Sequence, residues 1–264
     1  MSFFKAVGIC AGYGQKEIID NIDFSLERGK ILGILGANGC GKTTLLKSIC
    51  GILPHKGYCD LDGIRLETLP PKQLALLCSY IPQRSGISID ISVLDVVLMG
   101  VNPQLGLLQQ PNKSMRESAM RALCTVGLQD KFEQNFQHLS EGQKQLCILA
   151  RSLLSDCKLM LMAEPESALD FPHRHQVLDT LRTCCDQGNS SMILTLHDPN
   201  LALNYCDQLL LLANGSVIGM LHPKTEPLES MEQTLRAVYG PVNIVKCTTK
   251  KGSEQLVLLK EASE

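Results

Sequence analysis

Ile31-Leu32-Gly33-Ile34-Leu35-Gly36-Ala37-Asn38-Gly39-Cys40-Gly41-Lys42-Thr43-Thr44-Leu45-Leu46 is the stretch whose reading decides the fold. An apolar run leads into a glycine-rich turn, and the turn leads into a helix-like segment that runs on to Ile49. From Gly36 to Thr43 it satisfies G-x-x-x-x-G-K-[ST] in the strand, turn and helix context that this pattern requires. Gly36, Gly39 and Gly41 let the backbone curl until its N–H groups face one anion, at the positive end of the helix that starts there. Lys42 supplies a compact point charge for the β- and γ-phosphates of a nucleotide, and the Thr43 hydroxyl a ligand for Mg²⁺. Asn38, Cys40 and Thr44 are counted with the same nucleotide-binding loop. An ordinary glycine turn before a buried helix explains neither the interval between the glycines nor the Lys-Thr pair behind them.

Composition bounds what surrounds the loop. With 264 residues, 44% of them hydrophobic, the chain can bury one large α/β core, or a core with a small appended subdomain. A formal net charge of −2 shows no basic footprint, so nucleic acid is not an expected partner. The twelve cysteines form no Cys-x-x-Cys, Cys184 and Cys185 are adjacent, and Cys50, Cys147 and Cys206 lie in apolar runs where a thiol acts as a small hydrophobe. That usage fits a reducing cytosol. Met1 to Lys5 lacks a signal-peptide layout, and the apolar run Leu209 to Ala213 is far too short to span a bilayer, so a membrane role is expected only through a partner.

In chain order, Ala6–Ile9 and Ile22–Leu26 alternate apolar with small or polar residues and predict an antiparallel β opening, closed by a turn at Glu27-Arg28-Gly29. Tyr13 sits between glycines in the turn of that opening, where its ring can be presented to an adenine. Asp62-Gly63 predicts a hairpin, Pro70-Pro71 a helix start, and Ser79–Gln83 a strand ending in a polar loop. Gln83 there can offer an amide oxygen to Mg²⁺ or to an attacking water; a solvated loop residue is the plainer alternative. From about residue 92 to 155 the pattern is helical, with Pro103–Asn112 as a loop inside it. Leu139-Ser140-Glu141-Gly142-Gln143 opens the long helix that follows, a second helix N-terminus suited to phosphate, with Ser140 as N-cap or as ligand; a plain capped helix remains open at this point. Lys158 to Glu166 predicts a buried strand ending in a carboxylate. Met192–Leu196 predicts another, followed by His197. Val242–Cys247 and Gln255–Leu259 predict a terminal hairpin.

Tyr13, the phosphate loop, Gln83, Leu139–Gln143, Glu164-Pro165 with Ser167-Ala168-Leu169-Asp170, and His197 stand in the order in which the nucleotide-binding subunits of ABC transporters carry them. The whole chain resembles that family. Cys40, the Ser167–Phe171 run and the tail Leu235–Gly240 further resemble importer ATPases of the siderophore, haem and cobalamin type. The resemblance implies a P-loop NTPase core of α/β class, with an antiparallel β subdomain and an inserted helical subdomain over about 92–155. It implies one ATPase domain over 1–241, with 242–264 as a hairpin extension. It also implies ATP and Mg²⁺ as cofactors, and Thr43 and Gln83 at the metal. A homodimer or paired subunit would sandwich two ATP molecules, so that Ser140, Gly142 and Gln143 of one chain cap the phosphates held by the other, with Asp170 alongside. Two permease subunits at the cytoplasmic face of the membrane, and indirectly a substrate-binding protein, would be the partners. Glu164 is then the general base and His197 holds the water and γ-phosphate in line. Two residues depart from the pattern. Ala163 stands where the family has the Asp that orients Mg²⁺, which predicts slow hydrolysis. Glu141 replaces a Gly and brings a carboxylate into the signature turn.

Overall fold

The computed structural model describes residues 2–83, 86–106, 108–188 and 190–261. The chain divides into two compact units, one made of Met1–Glu67 with Ile193–Glu264, the other of Thr68–Met192.

In the first unit, β1 (Phe4–Tyr13) and β2 (Lys16–Leu26) pair antiparallel, as the alternation predicts. Ile19, Ile22, Phe24 and Leu26 of β2 are buried while the residues between them are not. β3 (Ile31–Leu35) is buried throughout, the mark of a strand covered on both faces. It leads into α1 (Lys42–Ile49), which seats Leu45, Leu46 and Ile49 and packs on β1 and β2. β4 (His55–Leu61) adds to the free edge of β1, and β5 (Ile64–Arg65) folds back on β4. Asp62 and Gly63 between them have φ of 58° and 81°, the pair of positive angles that a two-residue hairpin turn needs to match strand twist.

The second unit begins with α2 (Pro71–Leu77) and β6 (Cys78–Ile81). α3 (Val93–Leu98), α4 (Lys113–Thr125) and α5 (Glu141–Leu154) pack on one another over the expected helical stretch. Their starts are capped by Ser92, Asn112 and Ser140, whose side-chain oxygens accept the N–H three residues on. The segment read as a loop from Pro103 begins inside a 3₁₀ turn over Met99–Gln104, and Leu107 within it lies outside the described residues. The apolar spacing that runs on to Leu128 outlasts its helix: α4 stops at Thr125, and Gly127 at φ 74° turns the chain so that Val126 and Leu128 are still buried. β7 (Leu159–Ala163) pairs parallel with β6, Cys78 opposite Leu159 through Ile81 opposite Met162. α6 (Phe171–Asp186) follows, and β8 (Ser191–Thr195) carries the chain across the boundary into the first unit.

Back in the first unit, α7 (Pro199–Tyr205) packs on β3, and β9 (Gln208–Ala213) pairs parallel with β3 and antiparallel with β10 (Ser216–Leu221). α8 (Leu228–Tyr239) covers β9 and β10. The terminal hairpin is β11 (Val242–Thr248) with β12 (Glu254–Lys260). Two amides of α7 fasten it: Asn204 exchanges hydrogen bonds of 2.8 and 2.9 Å with the Leu256 backbone, and Asn200 Oδ1 accepts Leu258 N–H at 2.7 Å. Those contacts occupy a strand edge that would otherwise stand open.

Met1, in the stretch read for a signal layout, and residues 262–264, in the terminal extension, lie outside the described residues. Among the described residues no helix is long and apolar enough to cross a membrane. The twelve cysteines are all free thiols.

Candidate nucleotide site

The first unit holds the phosphate loop between β3 and α1, and its glycines answer two demands, close neighbours and backbone angle. A Cβ on Gly36 would lie 2.3 Å from Leu212 O and 2.6 Å from Cys40 Sγ. One on Gly41 would strike Ile19 Cγ2 at 2.4 Å. Gly39 has open space around it, and there the positive φ of 80° sets the requirement. Cys40 is buried, and its carbonyl accepts Gly215 N–H at 3.2 Å, which ties the loop to the β9–β10 turn. Asn38, Gly39 and Thr43 are exposed, whereas Thr44 is buried.

Lys42 is only 6% exposed, and its Nζ donates to the loop's own carbonyls, Gly36 at 2.7 Å and Ala37 at 3.2 Å. Among the described residues no ion pair involves it. Helix α1 starts at Gly41 with no side chain capping its first turn. A buried ammonium facing only carbonyls, next to an uncapped helix N-terminus, is a setting that a phosphate completes and that a neutral ligand would not.

Tyr13 ends β1 half exposed, on the wall of a cavity of about 660 Å³ shared with Gly12, Lys16, Leu53, His55 and Lys56. His197 is exposed just beyond β8, and the neighbouring Leu196 N–H donates to Ile34 O at 3.2 Å, so its turn leaves from beside β3. Asp198 caps α7 through Asn200 N–H at 2.8 Å. Tyr239, at the end of α8, has its phenol pushed up to about 12, by burial first and then by Asp198 and Cys40. The tail matched in sequence thus ends within the electrostatic reach of the loop cysteine and of the residue after His197.

The second unit assembles the others. Glu164 follows β7, which stops one residue short of the carboxylate that the reading placed at a strand end. It is 8% exposed with φ at +52°, a left-handed backbone that costs a non-glycine residue about 1–3 kcal/mol. Its side chain accepts from Gln83 Nε2. Its carbonyl accepts from Gln145 Nε2 at 2.9 Å and from Ser167 N–H at 3.2 Å. Ala163 is 2% exposed and Glu166, on the far side of Pro165, 3%.

The signature turn is closed on itself. Ser140 Oγ accepts Gln143 N–H at 3.3 Å, Gln143 Oε1 accepts Ser140 N–H at 3.1 Å, and Glu141 pairs with Lys144 at 2.9 Å. The carboxylate expected to intrude on a phosphate is engaged within its own helical turn. A Cβ on Gly142 would sit 3.2 Å from both Ala168 O and Leu169 Cδ2, so the turn packs tightly on the stretch before Asp170. Asp170 caps α6 through His173 N–H at 3.2 Å, and the further bond to the His173 ring holds its carboxyl below the usual range. Gln83, Glu141, Gln145 and Ser167 line one cavity of about 480 Å³. Gln145 escaped the sequence reading. Its only signal is a polar residue on the face of α5 that otherwise carries Leu146, Ile148 and Leu149 inward.

The sequence profile described as ABC transporter matches residues 19–167. The hemin import ATP-binding protein HmuV of Vibrio cholerae is 32% identical over 238 residues, which is 88% of this chain and 89% of that protein. The uncharacterised ABC transporter ATP-binding protein YvrA of Bacillus subtilis is 33% identical over 238 residues, covering 89% of this chain and 53% of that one, so this chain spans about half of YvrA. Among solved structures, an inward-facing conformation of a metal-chelate type ABC transporter superposes with a TM-score of 0.82 at 27% identity, over 99% of both chains. By profile and by relative alike, the chain is a member of the ABC transporter ATP-binding family.

Proposed function

We propose that this chain is the ATP-hydrolysing motor subunit of an importer for a metal chelate, a siderophore, haem or a cobalamin-type ligand. The observation that carries the nucleotide role is the Lys42 ammonium held on Gly36 and Ala37 carbonyls beside an uncapped helix N-terminus. The substrate class is supported by the haem importer subunit and the metal-chelate transporter that the chain resembles.

In this reading Gly36, Asn38, Gly39, Cys40, Gly41, Lys42, Thr43 and Thr44 hold the triphosphate and Tyr13 stacks on the base. Mg²⁺, held by Thr43 and Gln83, would neutralise charge on the β- and γ-phosphates. Two copies pair, so that Ser140, Gly142 and Gln143 of one copy, with Asp170, complete the site of the other. Glu164 takes the proton of the attacking water and His197 orients that water. The subunit works at the cytoplasmic face on two permease subunits, served by a substrate-binding protein.

Ala163 favours a second reading, a nucleotide-driven switch that closes on ATP with little turnover, since a methyl group cannot orient metal-bound water. Copurification of the tagged full chain with a polytopic membrane protein, and chelate uptake into vesicles holding both, tests the first. ATP-dependent pairing with no uptake and no phosphate release would overturn it in favour of the second.

A further inference from the structure

Glu164 is held at both ends by glutamines: Gln83 donates to its carboxylate, and Gln145 donates at 2.9 Å to its backbone carbonyl. The two bonds differ in setting. Gln83 stands in the loop after β6 and is exposed, whereas Gln145 is 9% exposed on α5. The orientation of the Gln145 amide follows from its partner, because a carbonyl only accepts and so must meet Nε2 rather than Oε1. That choice leaves Oε1 buried with no hydrogen-bond partner among the described residues, a cost to folding. An apolar side chain of similar length would avoid that cost. What the amide secures in return is the residue with left-handed φ, whose carbonyl it shares with Ser167 N–H.

We infer that Gln145 is a positioning residue for Glu164: it pins the left-handed turn, which fixes where the Glu164 carboxylate emerges, while Gln83 is the partner that lets the carboxylate go. The inference rests on the reading of Glu164 as the general base. Displacing a catalytic group by about 1 Å is enough to cost about 100-fold in rate, and the amide's hydrogen bond goes to the Glu164 backbone rather than to a group assigned to holding nucleotide, so ATP affinity is the readout expected to be spared.

The test uses the full chain with Gln145→Met, which keeps length and removes the donor, and Gln145→Asn, which keeps an amide one methylene short. ATP affinity is measured by calorimetry, single-turnover hydrolysis with radiolabelled ATP, and amide exchange of the 164–169 segment by mass spectrometry. Gln145→Met is expected to leave ATP affinity within about twofold, lower the hydrolysis constant about 100-fold and speed exchange in 164–169, with Gln145→Asn between it and the parent. Hydrolysis and exchange equal to the parent in both variants would overturn the inference. So would a parallel loss of affinity, hydrolysis and thermal stability, which marks a merely structural amide. If Glu164→Gln leaves hydrolysis unchanged, the base assignment fails by itself. The exchange measurement then still decides whether Gln145 holds the turn.

Discussion

Two helix N-termini in this molecule are shaped by the same backbone physics and left in opposite states. At α1 the cap is Gly41, which has no side chain, and the neighbouring cation rests on backbone carbonyls. At α5 the cap is Ser140 in a reciprocal box with Gln143, and the first-turn carboxylate of Glu141 is paired with Lys144. The first terminus is left without a side-chain cap, and the second supplies its own acceptors. A self-satisfied turn makes a poor primary phosphate site. It makes a sound secondary one, stable when the partner is away and able to exchange its internal bonds for a phosphate that another surface already holds. This contrast is what the sandwich arrangement of the proposed function requires.

The strongest way to break the contrast is at Lys42. With the only buried cation of the loop removed, Lys42→Ala is expected to weaken ATP binding by about 100-fold or more, given the roughly 1.5–3 kcal/mol of each hydrogen bond to a charged group. Calorimetry with Mg²⁺ present reads it, and an unchanged affinity would remove the loop from the nucleotide site.

Next in size is the metal side of the chemistry. Ala163→Asp is expected to raise hydrolysis by about 10- to 100-fold, the range for an outer-shell metal partner, and Glu164→Gln in that background to cancel the gain. Phosphate release under saturating ATP is the measurement. If the parent already turns over at about 1–100 s⁻¹, as phosphoryl-transfer enzymes such as kinases do, and Ala163→Asp adds nothing, the methyl group is tolerated and the slow-turnover account fails.

How much of this was open to sequence reading differs between the two turns for a physical reason. The phosphate loop is local: eight consecutive residues determine it, and Gly36 and Gly41 are fixed by close neighbours while Gly39 is fixed by its own φ. Ser140 and Gln143 are likewise local, three residues apart in a box. The strand ending at Ala163 was legible from its apolar run, but the left-handed φ of Glu164 was not, since nothing in Ala-Glu-Pro announces it and only the surrounding structure sustains it. Gln145 was invisible for a similar reason. Its partner lies nineteen residues on, and helix periodicity counts a polar residue on an inward face as an interruption rather than as a donor. Tyr239 could be matched as part of a tail, but its burial, and the fact that Asp198 and Cys40 bear on its phenol, required the fold.

A third test separates the two roles of the signature turn. Ser140→Ala removes the cap and should cost about 1 kcal/mol of stability, read as a lower melting temperature. Ser140→Arg should go further and prevent the ATP-dependent rise in mass seen by light scattering, because bulk and positive charge fill the turn. If the arginine variant pairs on ATP like the parent, the turn does not meet the second nucleotide.

The smallest expected effect lies at Glu141, and it asks how closed the signature turn is. Its carboxylate is 74% exposed and paired with Lys144 three residues along its own turn of helix, a surface contact that solvent screens. Replacing it by Gly, as the family pattern has it, removes one negative charge from the turn and frees the Lys144 ammonium, while the Ser140–Gln143 box remains. Both changes favour an incoming phosphate. Glu141→Gly should therefore tighten ATP-dependent pairing by about threefold, the size of effect that exposed charge pairs produce. The gain should shrink as salt is raised from about 0.1 to 1 M, over which the screening length falls from about 10 to 3 Å. A gain that persists in high salt would point to backbone freedom from the new glycine, and weaker pairing would mean that the carboxylate helps to hold the turn in shape for its partner.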